Sequence, residues 1–293
     1  MKTPSIHTLA ALIAGALVFS GALVPSAAVA DDREKVHELT GDWSGYYQGI
    51  GNPDTRAADL LIRSQRNRRF EGNFVLGPAP HIFPITGTTA SCSNNLSPGD
   101  DVACQNNLFQ GRSDEGQIKA QTTLTDFGEG AAILDGRLKV DLREAAREQG
   151  SLLLLRNFVG NPDITPPDVS GHYEGTATFG GEDVGFLVNW RPVRDERGAV
   201  TTGFEGTVML QPREASGFPP FAGVVLGTVN ADGEIVAIAQ GRSGRLALTA
   251  DFIDPVDPNM PAQIIGELRL VLNDGSAHAR TFEAVMQAPP EGD

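Results

Sequence analysis

Aromatic side chains are scarce in this chain, with two Trp, three Tyr and 14 Phe among 293 residues. A membrane-spanning β-barrel needs two interfacial girdles of such residues, so their scarcity argues against an outer-membrane barrel. Long apolar runs are missing after residue 30. No later segment reaches the roughly 18 uninterrupted apolar residues of a spanning helix, so the chain reads as not membrane-spanning. Cysteine occurs twice, as Cys92 and Cys104. Positive charge is short as well: 23 basic side chains face 37 acidic ones, a net of −14. Phosphate contacts need clustered Lys and Arg, so this balance excludes nucleic acid as the expected partner and favours cations or basic partners.

Recognisable catalytic patterns are missing too. Past the leader the histidines are His37, His81, His172 and His278. They share no Ser-centred or Cys-centred motif with an orienting carboxylate, which a nucleophile–base pair requires. No His-x-Glu, Cys-x-x-Cys or His-Glu-x-x-His spacing marks a zinc site. The oxygen-rich stretch Asp251 to Asn259 lacks the Asp-x-Asp-x-Asp-Gly spacing of a calcium loop, and its prolines suit a plain connection. No Gly-rich turn runs from a strand into a helix, so no phosphate cradle is expected. The chain therefore reads as non-catalytic, without metal or cofactor.

What is present begins with an export signal over residues 1–30. Lys2 supplies its charge, Leu9 to Leu23 its apolar core, and Ala28-Val29-Ala30 a small-x-small cleavage site. The protein is expected to be exported, periplasmic or secreted, with a mature chain from Asp31. Removing Lys2 leaves 22 basic against 37 acidic side chains, a net of −15.

The remainder repeats itself. Gly41-Asp42-Trp43-Ser44-Gly45 returns as Gly171-His172-Tyr173-Glu174-Gly175. Gln110-Gly111-Arg112-Ser113 returns letter for letter as Gln240-Gly241-Arg242-Ser243, and Asp135-Gly136-Arg137-Leu138 as Ile265-Gly266-Glu267-Leu268. All three pairs lie 130 positions apart, the mark of a duplicated unit. The copies are assigned to residues 31–158 and 169–287. A Pro-rich joint over residues 159–168 connects them, and residues 288–293 form a tail.

Within each copy apolar residues recur at period two, as in Phe70, Gly72, Phe74, Leu76 and again in Leu246, Leu248, Ala250, Phe252. Turn signals such as Asp232-Gly233 and Asp274-Gly275 separate the runs. Eight strands per copy follow, the first copy's near 41–50, 57–66, 69–77, 83–92, 102–111, 116–127, 131–141 and 151–158. Leu142 to Gln149 is read as a loop elaboration or one helical turn. Eight antiparallel strands with hairpin links suit an all-β pair of tandem up-and-down barrels; a two-sheet sandwich is the alternative. Cys92 and Cys104 fall on the two arms of one hairpin and are expected to form a disulfide, contributing about 3 kcal/mol by closing a short loop.

Leu39-Thr40-Gly41-Asp42-Trp43 at the head of an eight-stranded repeat resembles the calycin superfamily, the lipocalin and avidin type of barrel. In those families Gly-x-Trp opens the first strand, and the resemblance implies that Trp43 plugs the closed end. Tyr173 stands at the same place in the second copy. Lipocalins also set an Arg near the last strand over this Trp. The repeated Arg112 and Arg242 stand instead at or just after the end of the fifth strand. They are read as structural residues able to stack on Trp43 and Tyr173, worth on the order of 0.5–2 kcal/mol. The Trp ring with which avidins hold biotin is missing. The functional expectation is a small apolar or amphipathic molecule bound in a barrel interior. The alternative is an envelope or secreted module that binds another envelope protein or macromolecule through its hairpin loops.

Overall fold

The computed structural model describes residues 36–52, 54–89, 102–128, 130–158, 165–179, 182–194, 198–212, 218–255 and 260–288. The export signal, Cys92 and most of the joint and tail lie outside these residues; at Cys104 only the backbone is described.

Alternation at period two forms a strand wherever one face is buried, and sixteen strands result. The first eight are β1 (Gly41–Gly49), β2 (Thr55–Arg66), β3 (Arg69–Leu76), β4 (His81–Thr88), β5 (Val102–Ser113), β6 (Gly116–Gly128), β7 (Ala131–Leu142) and β8 (Glu148–Arg156). They close into a barrel in sequence order, β8 pairing antiparallel with β1. The second eight are β9 (Gly171–Phe179), β10 (Glu182–Arg194), β11 (Val200–Gln211), β12 (Phe221–Val229), β13 (Glu234–Gly241), β14 (Gly244–Ile253), β15 (Gln263–Leu272) and β16 (Ala277–Met286). They close likewise, β16 onto β9. The sandwich alternative is thereby excluded, since closure leaves no sheet edge. Of the loop elaboration or helical turn expected over Leu142 to Gln149, the structure shows the loop and no helical turn. β7 runs to Leu142, a turn follows, and β8 already begins at Glu148, three residues earlier than its apolar run suggested.

The repeated glycines have a structural cause. Gly41 and Gly171 sit at φ +121° and +149°, where residues with a Cβ are strained. At Gly45 and Gly175 a Cβ would collide with the carbonyl oxygens of Leu153 and Glu283, on the strand that closes each barrel.

Each barrel has its own apolar core. Trp43, Tyr47, Phe74, Phe83 and Phe109 fill the first, none more than 3 % exposed. Trp190, Phe186, Phe204, Phe221 and Phe282 fill the second. Ring centroids lie 5.8 Å apart for Phe74–Phe109 and 4.5 Å apart for Trp190–Phe204 and Phe186–Phe282. At these separations the rings pack against one another inside each barrel.

A third cluster lies between the barrels. Ile133, Leu153, Leu155 and Phe158 of the first half meet Val236 and Ile238 of the second. These side chains point outward from their barrels, because Leu152 and Leu154 on the same strand point inward. Gln240 Nε2 donates to Gln48 Oε1 at 2.6 Å, and the Phe158 backbone N–H donates to Thr228 Oγ1 at 3.2 Å. Asp135 and Arg245 form an ion pair at 2.6 Å across the same seam.

Candidate functional site

Trp43 lies at the head of β1, 1 % exposed, and its Nε1–H donates to the carbonyl of Leu39 at 3.0 Å. Tyr173 repeats the arrangement, its hydroxyl donating to the Val169 carbonyl at 3.0 Å. Both polar tips reach four residues back along the chain, which ties the lead-in segment to the head of the first strand of each copy.

The arginine over Trp43 is Arg156, not Arg112. Its guanidinium stands 4.9 Å from the Trp43 ring centroid. It donates to the carbonyls of Gly130 at 2.6 Å and Glu38 at 2.7 Å. The reason is register: Arg156 ends β8 directly opposite Trp43 on β1. Arg112 lies on the outer face of β5 and Arg242 in the turn after β13, so neither is placed over the aromatic plug. In the second copy Met286 takes the place of Arg156, paired with Tyr173. The signal was present in the sequence, as an arginine closing the last strand of the first copy, but the repeat hides it because the second copy does not keep it.

Several recesses among the described residues lie on the outer surface of the barrels. Two of about 1040 and 1250 Å³ overlap on the outer face of β2 to β6, sharing Ser64, Glu71, Thr86, Gln110 and Lys119. Strand register builds this face as rows. One row runs Ser64, Glu71, Thr86, Gln110, Lys119, Lys139, Gln149. The next runs Arg66, Arg69, Thr88, Leu108, Gln121, Arg137, Ser151 and ends at Gln48 on β1. A β-bulge between Ile62 and Ser64 keeps Arg63 outward as well.

Seven exposed cations collect here: Arg63, Arg66, Arg69, Arg112, Lys119, Arg137 and Lys139. Among the described residues none of the seven has a carboxylate within ion-pair distance. Overall, residues 31–158 carry 14 basic and 18 acidic side chains, and residues 159–293 carry 8 and 19. Half of the first copy's basic side chains thus stand unpaired on the outer surface of β2 to β7, with Glu71 among them.

A further recess of about 940 Å³ opens where the barrels meet. Its walls include Gln121, Arg137 and Gln149 of the first barrel with Arg242, Arg245 and Asn273 of the second. Asp135, half-buried at its base, has its carboxyl raised from the ordinary value because burial outweighs the opposing pull of Arg245. Among the described residues no group of three or more His, Cys, Asp or Glu could hold a metal ion.

Comparison with known proteins adds little. No protein family and no curated protein matches the chain. Among solved structures it is similar to a protein of unknown function of the DUF3598 family from Nostoc punctiforme. That likeness has 10 % identity and a TM-score of 0.25, covering 85 % of this chain and 96 % of the other. A putative thioesterase II from Thermobifida fusca follows at 13 % identity and a TM-score of 0.14, covering 78 % and 97 %. At those scores neither likeness bears on fold or function.

Proposed function

We propose that this is a non-catalytic binding protein of an extracytoplasmic compartment, holding an anionic partner on the outer face of its first barrel. One observation carries the reading: seven exposed cations without a carboxylate partner stand on the outer surface of β2 to β7 of the first barrel, in a chain whose net charge is −14. Scattered cations on an acidic protein are screened by neighbouring carboxylates. Left without ion-pair partners on one barrel, these cations produce a local positive potential that attracts anions despite the net charge. The interior-ligand reading has less support, since large aromatic side chains are buried inside both barrels. The reading places the partner on the sheet surface instead of the hairpin loops.

We also read each barrel as calycin-like. Gly41-Asp42-Trp43, the buried Trp43 and the Arg156 guanidinium stacked on it support that reading. The functional proposal does not depend on it.

The test is retention of the mature protein on an immobilised polyanion against a neutral matrix of the same polymer. Retention at low salt is expected, falling as salt rises. The double variant R69E/K119E should elute with the unbound fraction while keeping its melting temperature, because both side chains are solvent-exposed. Equal retention of parent and variant would overturn the assignment.

A further inference from the structure

We infer that the recess between the barrels is a second, separate binding site, which takes a small hydroxyl-bearing anion, a carboxylate or a phosphate ester, between Arg137 of the first barrel and Arg242 of the second. Of the seven cations without a carboxylate partner, Arg137 alone lines this recess. The site goes beyond the outer-surface reading above and is tested apart from it.

The two arginines reach the recess by the same route. Outward-facing residues on β7 run Ile133, Asp135, Arg137, and those on β13 run Ile238, Gln240 and, just past the strand, Arg242. Ile133 and Ile238 meet in the apolar seam. One step further, Asp135 pairs with Arg245, the cross-strand neighbour of Gln240. One step further again, about 7 Å along each strand, Arg137 and Arg242 leave the seam as walls of the recess. Asn273 holds the second of them in place. Its side-chain amide donates to the Arg242 carbonyl at 2.8 Å, and its backbone N–H donates to the Ser243 carbonyl at 3.0 Å.

The duplication points to the same residue. Arg112 and Arg242 are the same letter of a motif that both copies keep intact. In that motif Gly111 and Gly241 are required by packing, since a Cβ would collide with the carbonyl oxygens of Pro84 and Ala222. The arginines are not. Both are exposed, and among the described residues neither has an ion-pair or aromatic-ring partner. Each borders a recess, Arg112 on the outside of the first barrel and Arg242 between the barrels. A charge kept in both copies without a packing role is accounted for by what it meets in solution.

The wall of the recess selects the ligand class. Among the described residues that line it, Asp135 is the one carboxylate, and its ion pair with Arg245 leaves two guanidinium groups for an anion. Guanidinium groups match carboxylate and phosphate oxygens with two parallel hydrogen bonds. Gln121, Thr123, Gln149 and Ser151 add amides and hydroxyls, which both give and accept hydrogen bonds, as a hydroxyl-bearing ligand requires. No aromatic ring is among the described lining residues, so a nucleobase finds no platform to stack on. A volume of about 940 Å³ at a junction of two domains suits a small molecule.

The experiment titrates mature protein by calorimetry with glucuronate and with glucose 6-phosphate, and with glucose, acetate and inorganic phosphate as their separate parts. One-to-one binding of at least one of the two charged sugars is expected, about tenfold or more tighter than any separate part. Which of the two binds identifies the anion. R242S and R137S should each weaken that binding by about tenfold or more. R191S removes an exposed arginine of the second barrel outside the recess and should leave affinity within about twofold of the parent. Binding unchanged in R242S or in R137S, or weakened equally in R191S, overturns the site. Glucose binding as tightly as the charged sugars overturns the anion, and acetate or phosphate binding as tightly as they do overturns the hydroxyl contacts. Absence of binding by both charged sugars overturns the inference and leaves the outer-surface reading to its own test.

Discussion

Trp43 and Tyr173 do one mechanical task with different side chains. Each is a large ring with a polar tip, buried at the head of a first strand and tied to a carbonyl four residues back. Only the first is capped by a cation. Arg156 supplies a ring contact and neutralises the carbonyls of Gly130 and Glu38, and burial lowers its pKa from the ordinary value. Arg156→Met, which installs the residue that the second copy carries, should cost about 1–3 kcal/mol in urea denaturation, since it leaves carbonyls unpaired. A midpoint unchanged from the parent would remove Arg156 from the account of stability. Gly-x-Trp was legible as an aromatic plug, but the arginine was sought among repeated letters. Repetition marks what both barrels need, and this cap belongs to one of them.

At the scale of the element, strand alternation predicted the sheets closely because one face of nearly every strand is core and the other solvent. Strands that break the rule carry the most information. β8 holds Leu152-Leu153-Leu154-Leu155, all buried, and every residue of β13 after Glu234 is buried. A continuous apolar run means burial on both faces. Such a run is visible in the sequence, but a run of that length also suits an ordinary core strand. Ile238 reports directly on the outer face of β13, at 0 % exposure within the inter-barrel cluster. Ile238→Asp should place an uncompensated charge in that cluster and loosen it without touching either interior. Two calorimetric transitions are expected in place of one. A single transition at the parental temperature would show that the seam contributes nothing to cooperativity.

For the whole molecule, the seam couples charge as well as carbon. Asp135 holds its proton more tightly in the folded protein than in the unfolded chain, because burial outweighs Arg245. The stability this confers is complete below the ordinary Asp range and is lost as pH rises through the raised folded value. Asp135→Asn should therefore flatten the dependence of stability on pH in mild acid, measured by chemical denaturation at several pH values. A slope equal to the parent's would mean that Asp135 titrates normally. The amino-acid sequence by itself determined the duplication, the all-sheet class and the count of eight strands per copy, because period, turn residues and repeat spacing are local properties of the chain. Tertiary structure alone decided which arginine covers Trp43, which outer faces bury each other, and which cations of the first barrel stand without a carboxylate partner. Those relations depend on cross-strand register and barrel closure, which bring together residues tens of positions apart and leave no periodic trace along the chain.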